Sequence, residues 1–143
     1  MQLPLHSLKD DVATVKRAIS LVGGGPTILV GHSYGGFVIT NAAYNNKNVT
    51  GLVYIAAYAP KENQSLADFF DVTKVPKGFF IADSEGYIYI NSTQFRQAFA
   101  QDVNLTEASI IAAVQKRVNQ SILSEKSGPP AWKQHILTWY QIS

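Results

Sequence analysis

A parallel β-sheet flanked by helices, the α/β class, is what this sequence predicts, and three observations carry the expectation. Two short apolar runs rich in β-branched residues, Thr27–Val30 and Val49–Ala57, read as buried strands. A glycine-rich turn and a small-residue helical stretch, Phe37–Tyr44, join them, and another helix precedes the first. Helix, strand, turn, helix, strand over residues 7–57 is the order of parallel strands joined by crossovers.

Each element has its own signal. Ser7-Leu8-Lys9-Asp10 is a capping start, with an acid where Glu or Gln is usual. Leu8, Val12, Val15, Ala18, Ile19 and Val22 recur at helical spacing until Gly23-Gly24-Gly25-Pro26 stops them. Gly31–Gly36 reads as a tight turn, Asn45-Asn46 ends the second helix, and Pro60–Asn63 is a loop. Phe79–Ala82 and Tyr87–Ile90 flank Asp83-Ser84-Glu85-Gly86, a hairpin signal. Gln94–Ala100 reads as a short helix. Thr106–Val118 reads as a longer one, capped by Thr106, with Ile110, Ile111 and Val114 on its apolar face. Gly128-Pro129-Pro130 breaks the chain, and His135–Ile142 alternates as a strand. Residues 1–60 are thus expected to form part of a core, 61–131 a mostly helical cap or lid insertion, and 132–143 a further core strand.

The 143 residues suit one domain, and 46% hydrophobic with 15% charged residues is ordinary for a globular protein. A net charge of +2 is scattered, with Lys16-Arg17 and Lys116-Arg117 as the longest basic clusters, so no nucleic-acid partner is expected. Without cysteine, no disulfide, thiolate zinc site or Cys nucleophile is possible. No run approaches the ~18 apolar residues of a membrane span, so no membrane partner is expected. No leader is visible, and the expected compartment is the cytoplasm, with secretion the alternative if the native start lies upstream. The sequons at Asn48, Asn63, Asn91, Asn104 and Asn119 read as accidental, with a secreted, glycosylated chain as the alternative.

The chemistry centres on Gly31-His32-Ser33-Tyr34-Gly35. A serine hydroxyl is a poor nucleophile unless presented and deprotonated. The G-x-S-x-G pattern presents it on a strained strand-to-helix turn. Ser33 is the candidate nucleophile, and the Tyr34 N–H is the candidate oxyanion donor. Gly31 and Gly35 are expected where a β-carbon would clash, and Gly36 where the helix packs on the strand. The helix N-terminus favours negative charge at the site. A bare match to the pattern arises in roughly one chain in twenty of this length, so the flanking strand and helix decide its meaning.

Val30-Gly31-His32-Ser33-Tyr34-Gly35-Gly36 resembles the α/β-hydrolase superfamily, and Val53–Pro60, Gly128–Trp132 and Trp139–Ile142 resemble its small esterase-like members. The resemblance implies an α/β-hydrolase fold, a Ser-acid-His triad in that order, and an earlier loop giving a second oxyanion N–H. The family's acid follows the strand at His135–Ile142, and its His comes later; this chain ends at Ser143. The chain is therefore expected to be a central part of such a domain, nearly inactive by itself, and prone to self-association through exposed sheet edges.

Local substitutes for the acid and base are weak. His135 and His6 fall at the wrong ends of their elements, and His32 belongs to the turn. Glu62 and Asp68 follow the second strand but read as loop charges; Asp83 is explained by its turn and Asp102 by the gap between two helices. Some of Phe69, Phe70, Phe79, Phe80, Phe95, Phe99, Trp132 and Trp139 are candidates for an acyl pocket, with core packing the default. The expected function is hydrolysis of a small apolar carboxylic ester or similar acyl compound through acyl-Ser33, without metal or organic cofactor. The alternatives are a non-catalytic ligand-binding or vestigial module, or a lyase resembling the hydroxynitrile lyases.

Overall fold

The computed structural model describes residues 1–134 and 137–141, in two compact units. The first comprises Met1–Phe70 with the segment from Ser121 onward, and the second Asp71–Gln120. The first unit is built on strands β1 (Thr27–Ser33), β2 (Val49–Ala57) and β6 (Leu137–Gln141), with helices α1 (Leu8–Leu21) and α2 (Gly35–Ala42). The sheet order is β1-β2-β6 and both pairings are parallel, as the sequence predicts.

Ser7 caps α1, its Oγ accepting the Asp10 N–H at 3.0 Å. The buried stripe of α1 is Leu8, Asp11, Val15 and Ile19, whereas Val22 is exposed. The stripe therefore takes in an acid and ends before the residue expected to close it. Small and β-branched residues let α2 lie close on the sheet, and Phe37, Val38, Ile39 and Ala42 form one core with Leu52 and Tyr54. Inside that core Thr40 Oγ1 donates to the Gly36 carbonyl at 2.7 Å and meets the Tyr54 hydroxyl at 2.6 Å. Burial pushes the Tyr54 phenol up to about 12, so it stays a neutral partner for Thr40.

The two strands expected to be fully buried bury one face among the described residues of the first unit. On the other, Ile28, Gly51 and Leu137 stand in register across the sheet, as do Val30, Val53 and Trp139. Val30 is 60% and Trp139 47% exposed there. The runs carry apolar residues on both faces because a parallel strand is built for two covered faces, and α2 occupies one.

The second unit pairs β3 (Phe80–Ala82) with β4 (Tyr87–Ile90) as the expected hairpin and adds β5 (Val118–Asn119). Its helices are α3 (Ser92–Phe99) and α4 (Leu105–Ala113). Asn104, not Thr106, caps α4, through Oδ1 and the Glu107 N–H at 2.9 Å. Asn91 caps α3, so the sequon asparagines Asn91 and Asn104 both have a capping task. The expected apolar face of α4 is reversed. Ala108 and Ala112 are buried beside Phe95, and Ile110 and Val114 are exposed. Small side chains allow the closer approach of two helices, and α4 ends at Ala113 because Val118 joins the sheet.

Asp83 organises the hairpin turn by accepting the Tyr87 and Glu85 N–H groups and pairing with Arg117 at 2.9 Å. The Tyr87 N–H, helped by Arg117, holds its carboxyl below the usual range. A lowered folded value means that the contribution is complete above the unfolded value and drains as pH falls through the folded one. Acid titration of hairpin NMR signals is therefore expected to show an acid transition that flattens in Asp83→Asn. Among the described residues, no helix is long and apolar enough to cross a membrane.

Candidate active site

β1 runs to Ser33 and α2 starts at Gly35, so one residue separates strand from helix. Ser33 takes φ +51°, a left-handed conformation that costs a non-glycine residue energy and marks a constrained turn. Tyr34 follows in right-handed helical conformation and leads α2. The neighbouring strand adapts. His32 pairs with Ile55 but Ser33 with Ala57, and the skipped Ala56 has φ +41°. This extra residue brings the Tyr58 N–H to the Ser33 carbonyl at 3.2 Å.

Two of the three motif glycines are sterically fixed. A β-carbon on Gly31 would lie 2.7 Å from the Gly35 carbonyl carbon and oxygen, and one on Gly36 would lie 2.2 Å from the Tyr58 carbonyl oxygen. Gly35 departs from expectation: nothing lies within 4 Å of a β-carbon there. Its backbone serves the turn by fitting against Gly31, while the outer side of the first helical position is open.

Sequence reasoning missed the polar group that meets this turn. Asp11 is fully buried, accepting the Leu5 N–H at Oδ1 and the Tyr34 hydroxyl at Oδ2, each at 2.9 Å. Burial, then the Asp11 charge, drives the Tyr34 phenol far above its ordinary value, keeping it a donor. The available signal was an acid three residues after Leu8 and four before Val15, within the apolar stripe. Tyr58 was also missed; burial raises its phenol too.

An aromatic group stands beside the turn. Phe37 stacks on Tyr34 at 6.5 Å and meets Phe69 edge-on at 5.7 Å, while Tyr58 lies 5.3 Å from Phe69 and 5.5 Å from Phe70. Phe69 and Phe70 keep part of their rings exposed. Phe79, Phe80, Phe95 and Phe99 belong to the second unit, Trp139 lies on the open sheet face, and Trp132 donates to the Pro60 carbonyl at 3.0 Å.

No hydrogen bond among the described residues engages the Ser33 hydroxyl. His32 is exposed and shares the open sheet face with Ile28 and Val30. His6 precedes α1 and is exposed, Glu62 is an exposed loop residue, and His135 lies outside the described residues. Asp68 is occupied by the Ser65 N–H and hydroxyl and by Lys126 Nζ at 3.2 Å, and the Ser65 N–H above all lowers its carboxyl. Asp102 lies between α3 and α4. No cluster of His, Cys, Asp and Glu among the described residues could hold a metal.

An extracellular α/β-hydrolase from a Paenibacillus species, described as sharing structural and functional homology with tobacco salicylic acid binding protein 2, is 23% identical with TM-score 0.80. The match covers 95% of this chain and 58% of that one. An Arabidopsis methylesterase, MES16, is 15% identical with TM-score 0.68, covering 96% and 57%. A tomato methylketone synthase I variant with bound β-ketoheptanoate is 11% identical with TM-score 0.73, covering 96% and 61%. The chain thus spans less than two thirds of the length of each. No protein of curated function matches it. The profile of the Alpha/beta hydrolase family matches residues 3–139. With parallel strands, crossover helix and matched profile in agreement, the chain belongs to the alpha/beta hydrolase family.

Proposed function

We propose that Ser33 is the nucleophile of a serine hydrolase acting on a carboxylic ester or a similar acyl bond. The observation that carries this reading is the left-handed Ser33 between β1 and α2, locked by Gly31 and Gly36. In the reaction Oγ loses its proton to a base and bonds to the acyl carbon. The alcohol leaves with a proton, and water then releases the acid and restores Ser33. The Tyr34 N–H, heading α2, would donate to the oxyanion. Tyr58, Phe69 and Phe70 support a small apolar substrate, offering partly exposed rings beside the turn. The methylesterase among the similar structures accords with an ester.

A second reading, a non-catalytic module binding a small apolar ligand, is favoured by the Ser33 hydroxyl having no hydrogen-bonded base among the described residues. One experiment separates the two. The chain and its Ser33→Ala variant are incubated with a fluorophosphonate probe and weighed intact. The nucleophile reading expects a slow adduct, absent from Ser33→Ala. With no base on Ser33 among the described residues, oxyanion and binding contributions would leave only about a thousandfold acceleration over water. A folded chain that takes no adduct favours the binding module. Rapid turnover of an activated ester, lost in Ser33→Ala, would instead require a base on Ser33.

A further inference from the structure

A buried carboxylate without a cation is costly, and Asp11 is one: among the described residues no ion pair reaches it. It sits in a stripe otherwise made of Leu8, Val15 and Ile19, where an apolar residue would serve packing better. The N-terminal turn of α1 favours its charge, yet that needs no burial. What burial adds is reach. One oxygen holds the N–H of Leu5, itself at φ +62°, and the other holds the Tyr34 hydroxyl.

Tyr34 is the residue whose N–H belongs to the Ser33–Tyr34 peptide. That peptide is planar, so fixing its carbonyl fixes the direction of its N–H. The Tyr58 N–H holds the Ser33 carbonyl at 3.2 Å, and the Phe37 N–H holds the Tyr34 carbonyl at 2.9 Å. The Tyr34 ring, stacked on Phe37, carries the remaining restraint to its hydroxyl, where Asp11 ends it. We infer that Asp11 is a positioning residue, which holds the Tyr34 N–H in place through the Tyr34 phenol and so orients the oxyanion donor. The inference rests on the reading of Ser33 as the nucleophile.

Asp11→Asn and Tyr34→Phe test it, separately and combined. Asparagine offers one acceptor where two are used, and phenylalanine keeps the ring while removing the hydroxyl, so the second variant stands if the first fails to fold. Amide exchange by NMR is expected to rise about tenfold at Tyr58 and Phe37 in each variant, with the Ala43 amide at the far end of α2 unchanged. Fluorophosphonate labelling is expected to keep its half-saturating concentration and lose about tenfold in its first-order constant, as a displaced donor slows bond formation. The double variant should match the singles, because either change opens the same clamp. Unchanged exchange at Tyr58 and Phe37, or an equal rise at Ala43, overturns the inference, as does a labelling loss confined to half-saturation. A wild-type chain that takes no probe removes the nucleophile reading, and the exchange pattern alone then decides whether Asp11 holds the peptide.

Discussion

Gly36→Ala is expected to destabilise the chain by more than about 3 kcal/mol and to abolish any Ser33 adduct. The new β-carbon would lie 2.2 Å from the Tyr58 carbonyl oxygen, 3.0 Å from its carbonyl carbon and 3.1 Å from the Ala57 β-carbon. None of these is the end of a flexible side chain. Relief requires the end of β2 to withdraw, which breaks the Tyr58-to-Ser33 hydrogen bond and unsettles the Ala56 bulge. Gly35→Ala is the matched control. It adds the same methyl one residue away into open space, at ordinary φ, and should be neutral or stabilising by about 0.5 kcal/mol. Urea unfolding of both variants checks the contrast, and equal losses would show that the turn is not held by backbone contact.

Phe37→Ala is expected to be the most damaging truncation in the core of the first unit. The ring is 1% exposed and adjoins Tyr34, Tyr58 and Phe69. Its removal leaves a cavity whose walls are rings already committed to other partners, so little collapse is available. The expected cost is about 3–5 kcal/mol, against a typical net stability of about 5–15 kcal/mol. In a chain of this size that lowers the melting temperature by about 10–20 °C. Phe99→Ala, on a mostly exposed ring of the second unit, is expected to cost less than about 1 kcal/mol. Calorimetry on the two variants reads the difference, and a Phe37→Ala loss no larger than that of Phe99→Ala would contradict the packing described.

What the sequence made legible was set by local rules. β2 has the predicted bounds because Val49–Ala57, mostly apolar, lies between Asn45-Asn46 and Pro60, and the Ser7 cap and the Asp83 hairpin are fixed by residues a few positions apart. Failures came where two elements compete for one residue. Helical spacing alone does not tell whether α4 turns Ile110 and Val114 or Ala108 and Ala112 inward, and the approach of α3 decides it. Spacing alone also does not tell that the stripe of α1 includes a carboxylate, because the reason lies at Tyr34, 23 residues away. At the turn itself the pattern gave Ser33 and Tyr34 their places, but the unequal tolerance of Gly35 and Gly36 depends on Tyr58, the residue that follows β2.

For any association through the open side of the main sheet, temperature and salt type are the expected governing variables. Ile28, Val30, Ile55, Leu137 and Trp139 meet water directly. Attraction between such surfaces weakens on cooling, because transfer of apolar groups from water is driven by entropy near room temperature. Sulfate and phosphate strengthen the same attraction through exclusion from the protein surface. If the aromatic wall beside Ser33 receives the proposed apolar substrate, its retention is expected to follow the same two variables.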